Sequence, residues 1–289
     1  MNKITAILKL TRIEHSVLLI IAVIAAELIV GGIPIPYIFA LSLITPALVS
    51  AGAFAINDYF DVKTDIANKK TDRPIVAKAI TPKGAFNVAM VCFVLGVLSS
   101  ALINAYSFLI ALIFAVLAFL YSYRLKDTVL WGNSYVAFTG VIPFIFGNFV
   151  VSAQLSAPIL LISFVAFLAS LAREIHGTIR DRIGDVKVRG SKNLVYYIGA
   201  RKASEVALIL YVESIVISLF LFAVIMPFQF NLIYIVPVGI ADFMFLYVAV
   251  GHLIKNDNKF YSRARNLSLA AMALAVLAYL LSAIAYVPV

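Results

Sequence analysis

Long apolar stretches alternate with short polar segments along the whole chain. Nine of them approach or exceed the length of about 20 residues that a helix needs to cross a bilayer. They cover residues 17–30, 38–56, 85–103, 107–123, 133–151, 158–171, 206–226, 232–253 and 267–287. No period-two alternation is present, and the stretches are too long for barrel strands. The pattern predicts an all-α polytopic membrane bundle of nine transmembrane helices, forming one domain over residues 1–289.

Composition agrees with a membrane protein. Hydrophobic residues make up 63% of the 289 residues and charged residues 13%, against about 45–50% and 25% in soluble domains. A soluble or disordered chain is therefore excluded. The single cysteine, Cys92, excludes an intrachain disulfide.

The basic residues reveal the topology. All 23 Lys and Arg lie in residues 3–12, 63–83, 124–126, 173–202 and 255–265. With nine helices these five segments share one face of the membrane, while the segments on the other face carry no charge. The positive-inside rule then predicts a multi-pass protein of the cell membrane with a cytoplasmic N-terminus. The net charge of +9 reflects this asymmetry, so no nucleic-acid partner is expected.

Acidic residues gather where the second apolar stretch meets its cytoplasmic loop. Asn57, Asp61 and Asp65 are four apart, so in a continuing helix they form one ridge of oxygen donors, with Asp58 to one side. Oxygen donors suit Mg²⁺, which takes carboxylates together with waters and substrate phosphates. The scarcity of His and Cys argues against zinc.

A second acidic cluster follows the sixth apolar stretch. Asp181 and Asp185 repeat the spacing of four, and Glu174 and Thr178 would extend the same helix face. A single cluster of this kind is as well explained by a solvated, ion-paired helix end. Two clusters with matched spacing and position favour metal binding. Both are flanked by Lys and Arg, which is typical of a site for a metal-bound phosphate.

These clusters resemble the motifs of the UbiA superfamily of intramembrane prenyltransferases. The first family motif, N-D-x-x-D-x-x-x-D, is matched by Asn57, Asp58, Asp61 and Asp65, and its R-P-I/L continuation by residues 73–75. The second, D-x-x-x-D after R-E, is matched by Asp181 and Asp185 after residues 173–174. A Y-S…K…G-N stretch is matched by residues 121–123, Lys126 and residues 132–133. Thr178 departs from the pattern, because many members carry a further Asp there.

The resemblance implies transfer of an isoprenyl chain from its diphosphate to a lipophilic acceptor, assisted by Mg²⁺, with two ions expected. It assigns catalysis to Asp61, Asp65, Asp181 and Asp185, and metal binding to these four and Asn57. Diphosphate contacts fall to Lys69, Arg73, Lys126 and Arg182. Supporting roles fall to Asp58, Tyr121, Tyr123, Glu174 and Thr178. The implied partners are the prenyl diphosphate, the acceptor and the bilayer, with no obligate protein partner.

Within the family, residues 57–61 and 73–75 look closest to members that build archaeal ether lipids. There a geranylgeranyl group is transferred to the free hydroxyl of geranylgeranylglyceryl phosphate. The alternative acceptor is an aromatic acid of the 4-hydroxybenzoate type, as in quinone synthesis.

Two other classes of protein compete with the enzyme. A transporter would use the acids inside predicted spans, which are Glu27, Glu213 and Asp242. A non-catalytic lipid-binding protein would need no metal-type clusters. The concentration of acids at one membrane face favours the enzyme.

Overall fold

The computed structural model describes residues 2–67, 69–128, 131–189, 194–255 and 257–286, with the side chains of residues 127, 131, 181–189 and 258 excepted. Eleven α-helices lie in these ranges: α1 Lys3–Thr11, α2 Ile13–Val30, α3 Pro36–Phe60, α4 Val62–Ala67, α5 Pro82–Ala101, α6 Ala105–Tyr123, α7 Trp131–Val151, α8 Ala157–Arg189, α9 Leu194–Val224, α10 Leu232–Ile254 and α11 Asn258–Tyr286. A 3₁₀ turn, Leu125–Asp127, follows α6.

The predicted number of transmembrane helices is confirmed over the described ranges. Nine helices there are long and apolar enough to cross a membrane, namely α2, α3 and α5 to α11. No strand occurs in the same part of the chain. The protein is a multi-pass helical membrane protein.

Several helices extend beyond the apolar stretches that predicted them. Helix α8 continues to Arg189 and α9 already begins at Leu194. The backbone hydrogen bonds of a helix do not depend on apolar side chains, so a helix continues into the charged segment outside the bilayer. Hydropathy locates the membrane-embedded part of a helix and underestimates its length.

Helix α1 was not predicted. Its N-terminus is capped by Asn2, whose side-chain oxygen accepts a hydrogen bond from the Thr5 N–H at 2.8 Å. It ends at Arg12, which adopts a left-handed conformation with φ 45°. This left-handed residue separates α1 from the first membrane span, so α1 is a separate helix within the basic N-terminal segment.

Polar caps begin three of the membrane-spanning helices. Thr81, Asn104 and Asn231 each accept a hydrogen bond from a backbone N–H in the first turn of α5, α6 and α10 respectively. Such caps satisfy donors that a helix leaves without intrahelical partners. They explain why these helices begin at the start of an apolar stretch or two to three residues before it.

The chain divides into two compact units. The first comprises residues 1–20, 34–126 and 187–189. Its helix α3 packs against α1, α5 and α6. Close approach of α3 and α5 depends on two glycines, because a Cβ on Gly52 would lie 2.7 Å from the Phe93 ring and one on Gly96 would lie 2.9 Å from Val49.

The second unit comprises residues 21–33, 127–186 and 190–289. A buried cluster of side chains from α8, α9, α10 and α11 forms one part of its core. Helix α9 contains a kink at Gly199, with φ 78° and ψ 162°. This conformation is essentially restricted to glycine.

Candidate active site

The first acidic motif lies where α3 ends, and it is divided between two helices. Asp61 interrupts the helix between α3 and α4, which corrects the expectation of a continuous helix. Helical hydrogen bonding nevertheless persists: the Asp61 N–H donates to the Asn57 carbonyl at 2.9 Å, and the Asp65 N–H to the Asp61 carbonyl at 2.8 Å. Asn57, Asp61 and Asp65 therefore still follow one another at intervals of about one helical turn, despite the break.

Asp61 forms an ion pair with Lys126. The Lys126 Nζ lies 2.5 Å from Asp61 Oδ1, and both side chains are nearly buried, with 10% and 9% exposed. Lys126 belongs to the 3₁₀ turn after α6, so the turn places an ammonium group beside an acid distant in sequence. The structure thus brings together a predicted metal ligand and a predicted diphosphate ligand.

Asp65 is surrounded by basic groups from the loop that follows it. Its side chain is 3% exposed and forms an ion pair with Lys70, at 3.0 Å. The Arg73 Nε is 3.9 Å from the other carboxylate oxygen. Lys69, which directly precedes Lys70, is exposed and adopts a positive φ of 53°. The loop after α4 therefore places two basic side chains, Lys70 and Arg73, beside Asp65.

Asp58 is almost fully buried and binds two arginines. One carboxylate oxygen accepts hydrogen bonds from Arg12 at 2.7 Å and from Arg73 at 2.5 Å. The Arg12 guanidinium also lies over the Phe54 ring, 4.7 Å from its centroid. Asp58 thereby joins the residue that ends α1 to the loop after α4, and its supporting role in the reaction stays a prediction.

Sequence reasoning omitted Arg12 and Lys70 from the candidate site. Arg12 is 46 positions from Asp58, and no local pattern links them. Lys70 lies five positions after Asp65 in a segment rich in basic residues, where nothing distinguished it from its neighbours. Only the fold selects which of these cations reach the acids.

Aromatic rings surround the end of α3. Phe60 contacts Tyr59, Phe119 and Tyr123, with ring centroids 5.0 to 5.6 Å apart. Tyr123 is 61% exposed and Tyr121 is half-buried. The rings form an apolar flank on the acidic segment.

The second motif lies on α8, in the second unit. Arg173 and Glu174 form an ion pair at 3.1 Å. The Thr178 hydroxyl donates to the Glu174 carbonyl at 3.0 Å, so its proton is used within the helix. The side chains of Asp181, Arg182 and Asp185 lie outside the described residues, and their assignments stay predictions.

Two histidines lie beside this motif, and neither was predicted to act as a catalytic base. His176 stacks on His252, with centroids 3.7 Å apart and planes 1° from parallel. His252 stacks in turn on Tyr261. The rings connect α8 with α10 and α11, which gives them a packing role in this unit.

The acids inside the spans have different surroundings. Asp242 accepts a hydrogen bond from the Ser218 hydroxyl at 2.8 Å. Glu27 is fully buried, whereas Glu213 is exposed. Asp242 therefore has a hydrogen-bonding role between α9 and α10.

The donors around α3 and α4 fit a magnesium ion. Asn57, Asp61 and Asp65 offer one amide oxygen and two carboxylates as metal donors. Within the described ranges, no three His, Cys, Asp or Glu side chains converge closely enough to hold a metal by themselves. Mg²⁺ needs no such cage, since one or two carboxylates commonly bind it together with waters and substrate phosphates. This donor set suits an ion that arrives with a phosphate.

Comparison with known proteins identifies the family. The sequence matches the UbiA prenyltransferase family over residues 18–274. It is 31% identical to a digeranylgeranylglyceryl phosphate synthase of Archaeoglobus fulgidus over 83% of this chain and 81% of the relative. The corresponding protein of Methanobrevibacter smithii is 32% identical over 94% and 95% of the two chains.

Solved structures agree on the fold. A structure from a study of digeranylgeranylglyceryl phosphate synthase in membranes has a TM-score of 0.79, 26% identity and coverage of 99% of this chain and 100% of that one. A UbiA homologue from Archaeoglobus fulgidus, bound to GPP and Mg²⁺, has a TM-score of 0.65 at 18% identity, with coverage of 95% and 99%. With the motifs around α3 and on α8, these matches show that the chain is a member of the UbiA prenyltransferase family.

Proposed function

We propose that this protein transfers a geranylgeranyl group from its diphosphate to the free hydroxyl of geranylgeranylglyceryl phosphate, a step of archaeal ether-lipid synthesis. The proposal rests on the ion pairs at the end of a membrane span, where Asp61 contacts Lys126 and Asp65 contacts Lys70 and Arg73. Relatives of nearly the same length carry the corresponding name.

The reaction breaks the bond between C1 of the prenyl chain and the diphosphate oxygen, and the electron pair leaves with the diphosphate. The acceptor hydroxyl oxygen forms a new bond to C1 and releases its proton. Negative charge therefore develops on the leaving group, and catalysis requires fixed positive charge there. Lys126 and Arg73 are assigned to bind and orient the diphosphate, with Lys69 and Arg182 as further contacts.

The metal-binding role is assigned to Asn57, Asp61 and Asp65 around α3, and to Asp181 and Asp185 on α8. When bound, Mg²⁺ neutralises diphosphate charge and makes it a better leaving group. Two ions are proposed, in keeping with two acidic motifs. Glu174 is assigned a supporting role through its ion pair with Arg173.

The reaction is assigned to the cytoplasmic side of the cell membrane. Asp61 and Asp65 adjoin loops that hold much of the basic charge of the chain, and basic loops face the cytoplasm. Apolar spans offer the surroundings that two isoprenoid chains require.

A reconstituted transfer assay tests the proposal. Purified protein in lipid receives labelled geranylgeranyl diphosphate, Mg²⁺ and either geranylgeranylglyceryl phosphate or 4-hydroxybenzoate. We expect product from the glyceryl phosphate, abolished by a chelator and restored by added Mg²⁺. Asp61→Asn should remove activity, whereas the matched variant Asp72→Asn, which changes an exposed acid of the following loop, should retain it.

Two results would change the assignment. Product from 4-hydroxybenzoate alone would keep prenyl transfer and move the protein to quinone synthesis. Transfer that persists unchanged in Asp61→Asn or in the presence of chelator would contradict the role of the acidic cluster.

A further inference from the structure

Helix α1 carries an exposed apolar stripe that no other part of the chain covers within the described ranges. Ile4, Ile7 and Leu8 are 72%, 40% and 48% exposed. Their spacing of three and four places them on one face of the helix. On a membrane protein, an exposed apolar stripe of this kind is expected to contact the boundary between the lipid headgroups and the acyl chains, called here the acyl boundary.

The other faces of α1 are occupied differently. Ala6 and Leu10 are buried, at 1% and 0% exposed, and α1 packs against α3. Thr5 and Lys9 are exposed on the remaining side. The helix thus has one face on protein, one apolar exposed face and one polar face, which is the arrangement of a helix lying at an interface.

Exposed apolar side chains also occur at the start of the first membrane span. Ile13 and Val17, in the first turns of α2, are 48% and 57% exposed. Because α2 is long and apolar enough to cross the membrane, exposed side chains at its start meet lipid. The stripe on α1 is therefore followed, a few residues further along the chain, by side chains that meet lipid.

The charges of α1 select the kind of lipid. Lys3 and Lys9 are exposed, and the chain has no acid before Glu14. Lysines beside an apolar stripe at a membrane surface are attracted to anionic headgroups. A zwitterionic surface offers no such net attraction.

We infer that α1 lies along the membrane surface, with Ile4, Ile7 and Leu8 in the acyl boundary and Lys3 and Lys9 on anionic lipid headgroups. The occupant of this face is the bilayer itself. Arg12 ends α1 and binds Asp58, so the helix on the lipid surface is joined directly to the acidic segment around Asp61. Binding of α1 to an anionic surface thereby holds Arg12, and through it Asp58, in place beside that segment.

Single-cysteine labelling tests the position of α1. With Cys92→Ser removing the native thiol, Ile4→Cys and the matched variant Thr5→Cys carry the same fluorophore in nanodiscs of brominated lipid. We expect quenching at position 4 to exceed that at position 5 about threefold or more, since only the first probe meets the acyl chains. Equal quenching at the two positions, or none at either, would overturn the inference and indicate another partner for this face.

Lipid charge provides the second arm of the test. Lys3→Gln combined with Lys9→Gln should lower the quenching at position 4 about twofold or more in phosphatidylglycerol nanodiscs, and leave it unchanged in phosphatidylcholine. The double variant Lys78→Gln with Lys83→Gln, which changes two exposed lysines that are not part of α1, serves as the control. The same loss in both lipids, or no loss in either, would overturn the role given to anionic headgroups.

Discussion

Asp58 is held by two arginines through a single carboxylate oxygen, and this contact makes its role different from that of the acids around it. Asp61 and Asp65 are paired with lysines that follow them in sequence, whereas Asp58 joins Arg12 to Arg73. The first two acids are the ones proposed to bind Mg²⁺. Asp58 connects segments of the chain, and removing it should affect stability before it affects chemistry.

We expect Asp58→Ala to destabilise the protein strongly. The substitution leaves two guanidinium groups close together without their shared counter-charge, and breaking a buried ion pair costs about 3–5 kcal/mol. Thermal unfolding in detergent measures the change. Asp72→Ala, at an exposed acid of the loop after α4, is the control, and an unfolding temperature equally unchanged in both variants would contradict the connecting role.

Lys126→Met should lower kcat/KM for the prenyl diphosphate about 10- to 100-fold, the range expected when a hydrogen bond to a charged group is lost. The ammonium group is nearly buried beside Asp61, so no solvent cation replaces it fully. Steady-state kinetics measures the effect. Lys63→Met removes an exposed lysine from α4 and should change kcat/KM little; equal losses in the two variants would indicate a general charge effect.

At the scale of elements, hydropathy predicts the membrane-spanning helices but misses a short helix and a helix break. The nine spans follow from apolar length alone. Helix α1 was not predicted because it lies within residues 3–12, which were interpreted only as a basic segment before the first span. The break at Asp61 was not predicted because no Gly or Pro marks it in residues 57–65.

Gly199→Ala should lower stability by about 1–3 kcal/mol, because the backbone there adopts a conformation that a Cβ disfavours. Space is not the cause, since nothing lies within 4 Å of the added methyl group. Gly239→Ala is a matched control, because it also adds a methyl group in open space but within helical backbone in α10. Thermal unfolding should separate them, and an equal response would contradict backbone strain at the kink.

At the scale of the whole molecule, the ridge of acids was predictable because it depends on local spacing. The ion pairs that surround it were only partly predictable. Lys126 was identified through a motif, but Arg12 approaches Asp58 only through the packing of α1 on α3. Local periodicity therefore predicts the donors of the site, and tertiary packing decides which cations reach them.

The charge asymmetry of the loops predicts a single orientation. In a Cys92→Ser background, Gln154→Cys, in the uncharged segment after α7, should react with a membrane-impermeant maleimide from outside intact cells. Lys69→Cys, at an exposed position of the basic loop, should react only after the membrane is opened. The reverse labelling pattern would contradict a cytoplasmic N-terminus.

The ion pairs around α3 have a consequence for how ligands bind. Asp61 and Asp65 hold Lys126 and Lys70, so a cation that binds the carboxylates competes with these lysines and releases their positive charge. The released charge is then available to an anion. Binding of Mg²⁺ and of diphosphate should consequently be cooperative, each strengthening the other by the same factor. Calorimetric titration of diphosphate with and without Mg²⁺ measures this factor, and Lys126→Met should reduce it; independent affinities would show that the lysines stay on their carboxylates.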